Sequence, residues 1–227
     1  MEVKLNVPTS LSDIKVSDYQ KFIELSSEKE EDFFILQKMV QIFCNVPLIA
    51  VNRMSRNDFL SITNIISKTL VEESELQRTF TLNGVEYGFM PNLSEMELGE
   101  WIDADSYIGK IEEAHKLLAV LYRPITVKKK DKYEIQEYEG SAKYAEEMKG
   151  ASLEVLKGVY VFFWTLGSQL LRITPKYLER LIKKDKNLQA DLERNGVGIS
   201  TYISSLKETC LKLEKLLNFP LVKHSLS

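Results

Sequence analysis

Residues that carry chemistry are scarce in this chain of 227 residues: it has two histidines and two cysteines. His115 and His224 lie far apart, without the clustered partners that a metal site or an activated nucleophile needs. Cys44 and Cys210 each fall inside an apolar helical pattern, which excludes a disulfide framework and predicts buried thiols in a reducing compartment. Glycine is too sparse and misplaced for phosphate binding. Gly196-Val197-Gly198 lacks the further glycine and the preceding strand of a dinucleotide fingerprint, and no Walker loop is present. The longest apolar run, Val159 to Trp164, reaches Leu171 only through Thr165, Gly167, Ser168 and Gln169, too short and polar for a bilayer span. It predicts the central buried helix of a soluble domain. Met1 to Pro8 lacks the basic-then-apolar layout of a signal peptide. No internal repeat or low-complexity linker is visible.

What is present is ordinary globular composition, 44% hydrophobic and 28% charged. The net charge of −3 provides no electrostatic footprint for nucleic acid. Its distribution is uneven: residues 1–113 carry 20 acids and 10 bases, residues 114–227 carry 13 acids and 20 bases. Such a dipolar molecule is suited to docking its acidic side on the basic side of a neighbour.

The strongest local signal is Asn83-Gly84, flanked by Thr79–Leu82 and Val85–Phe89, because both positions of a tight hairpin turn require φ > 0. Alternation places Phe80, Leu82, Val85, Tyr87 and Phe89 toward cover. Ser94-Glu95-Met96-Glu97 has capping-box spacing before a helix with Leu98, Trp101 and Ile102 on one face. Asp103 to Ser106 offers a second cap, and a helix with apolar positions from Tyr107 to Leu121 follows, ended by Arg123-Pro124. A second hairpin is predicted near 125–138, around the basic tip Lys128-Lys129-Lys130-Asp131-Lys132.

Elsewhere the pattern is helical. Ser17 carries a capping signal before Phe22, Ile23 and Leu25; an acidic start at Glu28–Asp32 leads into Phe33–Phe43, stopped by Asn45-Val46-Pro47. Leu48–Val51 forms a short turn or helix, and Ser55 caps a longer one through Leu70. Ser141 to Met148 forms a short helix, Gly150-Ala151-Ser152 opens the long apolar one through Ile173, and Thr174-Pro175 begins a new one as N-cap and first residue. The last helix runs from Tyr202 to Leu217, and residues 219–227 form an extended tail ordered by a partner. The fold class is therefore mainly α with two small β-hairpins (α+β), a single compact helical domain over residues 1–227.

Candidate chemistry is weak against this background. Glu112-Glu113-Ala114-His115 matches the Glu-x-x-His motif of di-iron bundles once, where that chemistry needs it twice. Glu100, Asp103 and Asp105 have the makings of an acid-base pair, but their place at a helix junction makes capping the simpler role. A concave pocket lined by Glu100, Asp103, Asp105 and His115 would favour an enzyme. The lysine run is interleaved with Asp131, Glu134, Glu137 and Glu139, as a solvated loop would be, and Tyr160, Phe162, Phe163 and Trp164 read as core.

The strings Gln37 to Pro47, Gly84 to Leu93, Leu98 to Asp103 and His115 to Pro124 resemble a family of small structural or assembly proteins of tailed bacteriophages, podovirus-type and crAss-like phages included. The resemblance covers roughly residues 5–175 and implies a non-enzymatic ring subunit of the head-to-tail connector, assembled below the portal. It implies as partners the chain itself, in a ring matching portal symmetry, and the portal and other connector or tail proteins. No cofactor, metal, membrane or sequence-specific nucleic acid is implied, and the location is the virion, with the host cytoplasm during assembly. The expected subunit contacts are Asn83, Gly84, Lys128, Lys129, Lys130, Phe219 and Leu221. A tail assembly chaperone absent from the mature virion, or a packaged cargo protein, fits the same features.

Overall fold

The computed structural model describes residues 5–27, 32–130, 132–184 and 197–217, so the predicted tail, with Phe219 and Leu221, lies outside the described residues. The fold is mainly α with a small antiparallel sheet. In chain order come helices α1 (Val16–Ser27), α2 (Asp32–Phe43), α3 (Leu48–Val51) and α4 (Arg56–Leu70), then strands β1 (Thr79–Leu82) and β2 (Val85–Phe89). Helices α5 (Leu98–Tyr107) and α6 (Ala114–Leu121) precede strands β3 (Tyr122–Lys129) and β4 (Lys132–Ile135). Helices α7 (Ala142–Met148), α8 (Leu153–Lys184) and α9 (Val197–Leu217) complete the described chain.

Helix α6 is the hub. Every residue in it except Lys116 is buried, and Leu117, Leu118, Val120 and Leu121 are wholly so, a length of apolar chain that can be satisfied only by cover on all sides. The cover comes from α1, α5, α7 and the sheet. The N-terminal segment is tied in by main-chain bonds to the α7–α8 junction: Val16 N–H donates to Ala151 C=O (2.9 Å) and Leu153 N–H to Ile14 C=O (2.7 Å).

The two hairpins are not separate. β2 pairs with β3 through Tyr87↔Pro124, Gly88↔Arg123 and Phe89↔Tyr122, giving one four-stranded antiparallel sheet in the order β1-β2-β3-β4. A lone two-stranded ribbon is marginal, so the pairing gives each hairpin the neighbour it needs. Phe80, Tyr87, Phe89 and Tyr122 meet on one face, with ring centroids 5.0–5.6 Å apart, and Phe89 continues onto Phe162 of α8. On the other face the Tyr133 ring lies over Gly88, where a Cβ would come within 2.5 Å of it, and its hydroxyl donates to Phe89 C=O at 2.7 Å.

Several local expectations are corrected. Helix α5 starts at Leu98, capped by Glu97 and Glu100, while Ser94 lies in a 3₁₀ turn. It runs straight through Asp103–Ser106 to Tyr107; Gly109, at φ 77°, and a 3₁₀ turn over Ile111–Glu113 separate it from α6. Its apolar face is not buried: Leu98, Trp101 and Ile102 are 73%, 56% and 49% exposed. Ser17 falls inside α1. Helix α8 continues through Thr174-Pro175 to Lys184 and is not broken there. An internal proline removes one main-chain hydrogen bond, while the turns before it are braced by α9, which folds back along α8. Only the first part of α8, Leu153 to Tyr160, is buried, apart from Glu154, whereas Trp164, Leu170 and Ile173 reach solvent.

Candidate functional site

The predicted contact residues Asn83 and Gly84 occupy the β1–β2 tip at φ 51° and 80°, the left-handed geometry that asparagine tolerates and glycine, without a Cβ, adopts freely, and both are exposed. Lys128 and Lys129 end β3 and Lys130 turns the chain at φ 53°, all three exposed. Because β2 and β3 run antiparallel in the register Tyr87↔Pro124, the start of β2 and the end of β3 lie at the same end of the sheet, and so do the two tips. Lys128 is ion-paired to Glu86 across this end, leaving Lys129, Lys130 and Lys132, which faces Lys129 in the hairpin register, as its exposed cations among the described residues. The structure thus brings together five of the seven predicted contacts; Phe219 and Leu221 are beyond its described residues.

The carboxylates and the histidine do not converge. Glu100 is 2% exposed, forms an ion pair with Arg123 (6% exposed), and accepts from the Glu97 N–H at 2.8 Å. Arg123 also lies over the Tyr138 ring, 5.6 Å from its centroid, and the Tyr138 hydroxyl donates to Asp103. Burial, together with the bond to Asp103, raises the Tyr138 hydroxyl well above the usual phenol range. Tyr107 and Ser141 hydroxyls are 3.2 Å apart. This network, buried at Glu100, Arg123 and Ser141 and partly buried at Asp103, Tyr107 and Tyr138, joins α5 to the sheet and to the loop before α7, and both of its carboxylates are engaged in bonds that hold elements together.

His115 faces another side, where its Nδ1 lies 3.0 Å from Gln20 Nε2. Burial first, then the nearby Lys149 and Lys116 ammonium groups, pull its pKa below the ordinary value, against the opposing pull of Glu113 and Glu146. Among the described residues no group of three or more His, Cys, Asp or Glu side chains could hold a metal ion. Burial pushes the Cys44 thiol up to about 11 and that of Cys210 upward, so both hold little thiolate near neutrality.

Sequence reasoning missed Lys157. It sits within the core-facing first part of α8, 7% exposed, and donates to the C=O groups of Leu70 (3.0 Å) and Glu72 (2.7 Å) at the end of α4. A cation is favoured there by the helix dipole and the unpaired carbonyls, although desolvation still lowers its pKa. The same segment crosses α8 at Gly158, where a Cβ would lie 2.3 Å from Glu75 O.

The second surface that periodicity did not predict is an apolar groove of about 470 Å³ between α5, α8 and α9. Trp101, Ile108, Phe163, Leu170, Tyr202 and Leu206 form most of its wall, Cys210 lies at its floor and Asp105 at its rim. Among the described residues, no helix is long and apolar enough to cross a membrane. No protein family, curated protein or solved structure matches the chain.

Proposed function

We propose that this chain is a non-enzymatic structural subunit of a tailed-phage virion, one copy of a ring in the head-to-tail connector below the portal. The observation that carries the reading is the pairing of β2 with β3, which turns two hairpins into one sheet with both tips, Asn83-Gly84 and Lys129-Lys130, directed from the same end. A sheet end of that kind offers a neighbouring subunit backbone turns and the exposed cations Lys129, Lys130 and Lys132 on a four-stranded scaffold. The acidic bias of residues 1–113 against the basic bias of residues 114–227 supports head-to-tail docking of like subunits. The string resemblance at Gly84–Leu93 and His115–Pro124 supplies the phage context.

In this role the chain's partners are its own copies, the portal, and other connector or tail proteins, and its place is the virion after assembly in the host cytoplasm. It uses no cofactor, metal, membrane or sequence-specific nucleic acid. Quantitative mass spectrometry of purified virions, referenced to the portal protein, tests this. A copy number in a fixed ratio to the portal is expected. Absence from virions would mean an assembly chaperone, and a copy number unrelated to the portal would mean packaged cargo.

A further inference from the structure

The groove between α5, α8 and α9 leaves large apolar groups in water: Leu98, Trp101, Leu170 and Tyr202 are 73%, 56%, 36% and 53% exposed on and beside it. Its volume is within the range of pockets that enclose a ligand or a few side chains. Its surroundings are acidic on one side. The exposed charges along and just before α5 are Glu95, Glu97 and Asp105, the last lining the groove, while Glu100 and Asp103 are engaged by Arg123 and Tyr138 and Lys212 of α9 packs beside Gly109 past the end of the helix. An occupant that fits is a short apolar segment followed by positive charge.

The chain contains such a segment. Beyond Leu217, where α9 ends in the described residues, the sequence reads Asn218-Phe219-Pro220-Leu221-Val222-Lys223-His224. We infer that the groove receives Phe219–Val222 of a second copy of this chain, with Lys223 and His224 set against the acidic α5 side. The choice of a second copy follows from reach. Helix α9 lines the groove with Tyr202, Leu206 and Cys210, whereas its other end, Glu214 and Leu217, sits beside Lys157 and Val161 of α8.

At 1.5 Å per residue the near edge of the groove, Cys210, is about 10 Å from Leu217 along the helix and its middle, Leu206, about 16 Å. Even doubled straight back and fully extended, the chain carries Phe219 only about 7 Å and Leu221 about 14 Å. A chain's own tail therefore brings at most Leu221 and Val222 to its own groove and leaves Phe219 short of it, whereas the groove of a neighbour can take the whole segment. The exchange is heterologous, tail of one copy into groove of the next, and so generates a ring if the rotation closes. It deepens the assembly reading given above and rests on it for the identity of the partner.

The test uses full-length chains. A tail variant, Phe219→Asp with Leu221→Asp, has an intact groove; a groove variant, Leu170→Asp with Tyr202→Asp, has an intact tail. Both altered groove residues are exposed, so circular dichroism is expected to match wild type; if it does not, Trp101→Ala replaces them. A fluorescein-labelled peptide of residues 218–227 should bind the tail variant saturably in the micromolar range and the groove variant at least about tenfold more weakly. In sedimentation velocity a mixture of the two variants should form a 1:1 pair. No saturable peptide binding, binding unchanged in the folded groove variant, or peptide binding without the pair each overturns the inference. A pair that forms while virions contain no copies leaves this exchange standing and removes the connector reading.

Discussion

The guanidinium of Arg123 meets the carboxylate of Glu100 inside the protein, joining the start of β3 to the first turn of α5. Neither residue is exposed by more than a few per cent, and Arg123 Nε has no hydrogen-bond partner, so the pair holds two elements in fixed relation at the cost of desolvating both charges. Through it the sheet that carries the hairpin tips is tied to the helix that walls the groove.

Breaking this pair on one side strands a buried charge. Arg123→Met is therefore expected to lower unfolding free energy by about 3–5 kcal/mol in urea titrations. The double substitution with Glu100→Leu is expected to recover most of that loss. A single variant as stable as wild type would show that the pair is not buried.

Gly158 sets the crossing of the segment after α4 over α8. A methyl group there would overlap the Glu75 carbonyl, which is backbone and cannot turn aside. Gly158→Ala should destabilise by at least about 1–3 kcal/mol, as overpacking does, and the melting temperature should fall accordingly. Gly84→Ala, with open space around it but φ at 80°, should cost only the left-handed strain of about 1–2 kcal/mol.

The lowered pKa of His115 makes stability pH-dependent. Above the unfolded value near 6.5, both states are neutral at this position and its contribution is fully present. As pH falls below that value the unfolded chain binds a proton that the folded one resists, so stability declines until the folded pKa is passed. Urea unfolding at a series of pH values should show this slope in wild type and a shallower one in His115→Gln, which retains a polar partner for Gln20.

Charge reversal at the sheet tip separates folding from assembly. Lys129→Glu with Lys130→Glu should change unfolding free energy by less than about 0.5 kcal/mol per site, as exposed substitutions do, while reducing incorporation into assembled particles. Lys128→Glu should show a stability cost as well, because it replaces the partner of Glu86.

Local chemistry was well written into the sequence. Asn83-Gly84 marks its turn because few dipeptides accept two positive φ values, and Ser55 marks the start of α4, where its hydroxyl accepts from the Asp58 N–H at 3.1 Å. The overall class, mainly α with antiparallel hairpins, follows from such signals. What was hidden depends on pairing across distance. Gly88 and Arg123 are adjacent in the sheet but distant in sequence, so no local pattern announces that two hairpins become one.

The same holds for the groove and the buried cation. Leu98, Trp101 and Ile102 have the spacing of a core face, and periodicity alone cannot tell cover by the same chain from cover by another. Lys157 breaks the apolar pattern of α8 for a partner, the end of α4, that lies far upstream. Pro175 reads as a helix start, but local spacing omits the bracing of α8 by α9.

Imaging of the virion neck by electron cryomicroscopy tests the central claim most directly. The account predicts a ring below the portal whose subunit density fits this fold, repeated with the portal's symmetry, with the Asn83-Gly84 and Lys129-Lys130 tips against neighbouring subunits. A neck in which this fold is missing, or in which both tips face empty solvent, would contradict it.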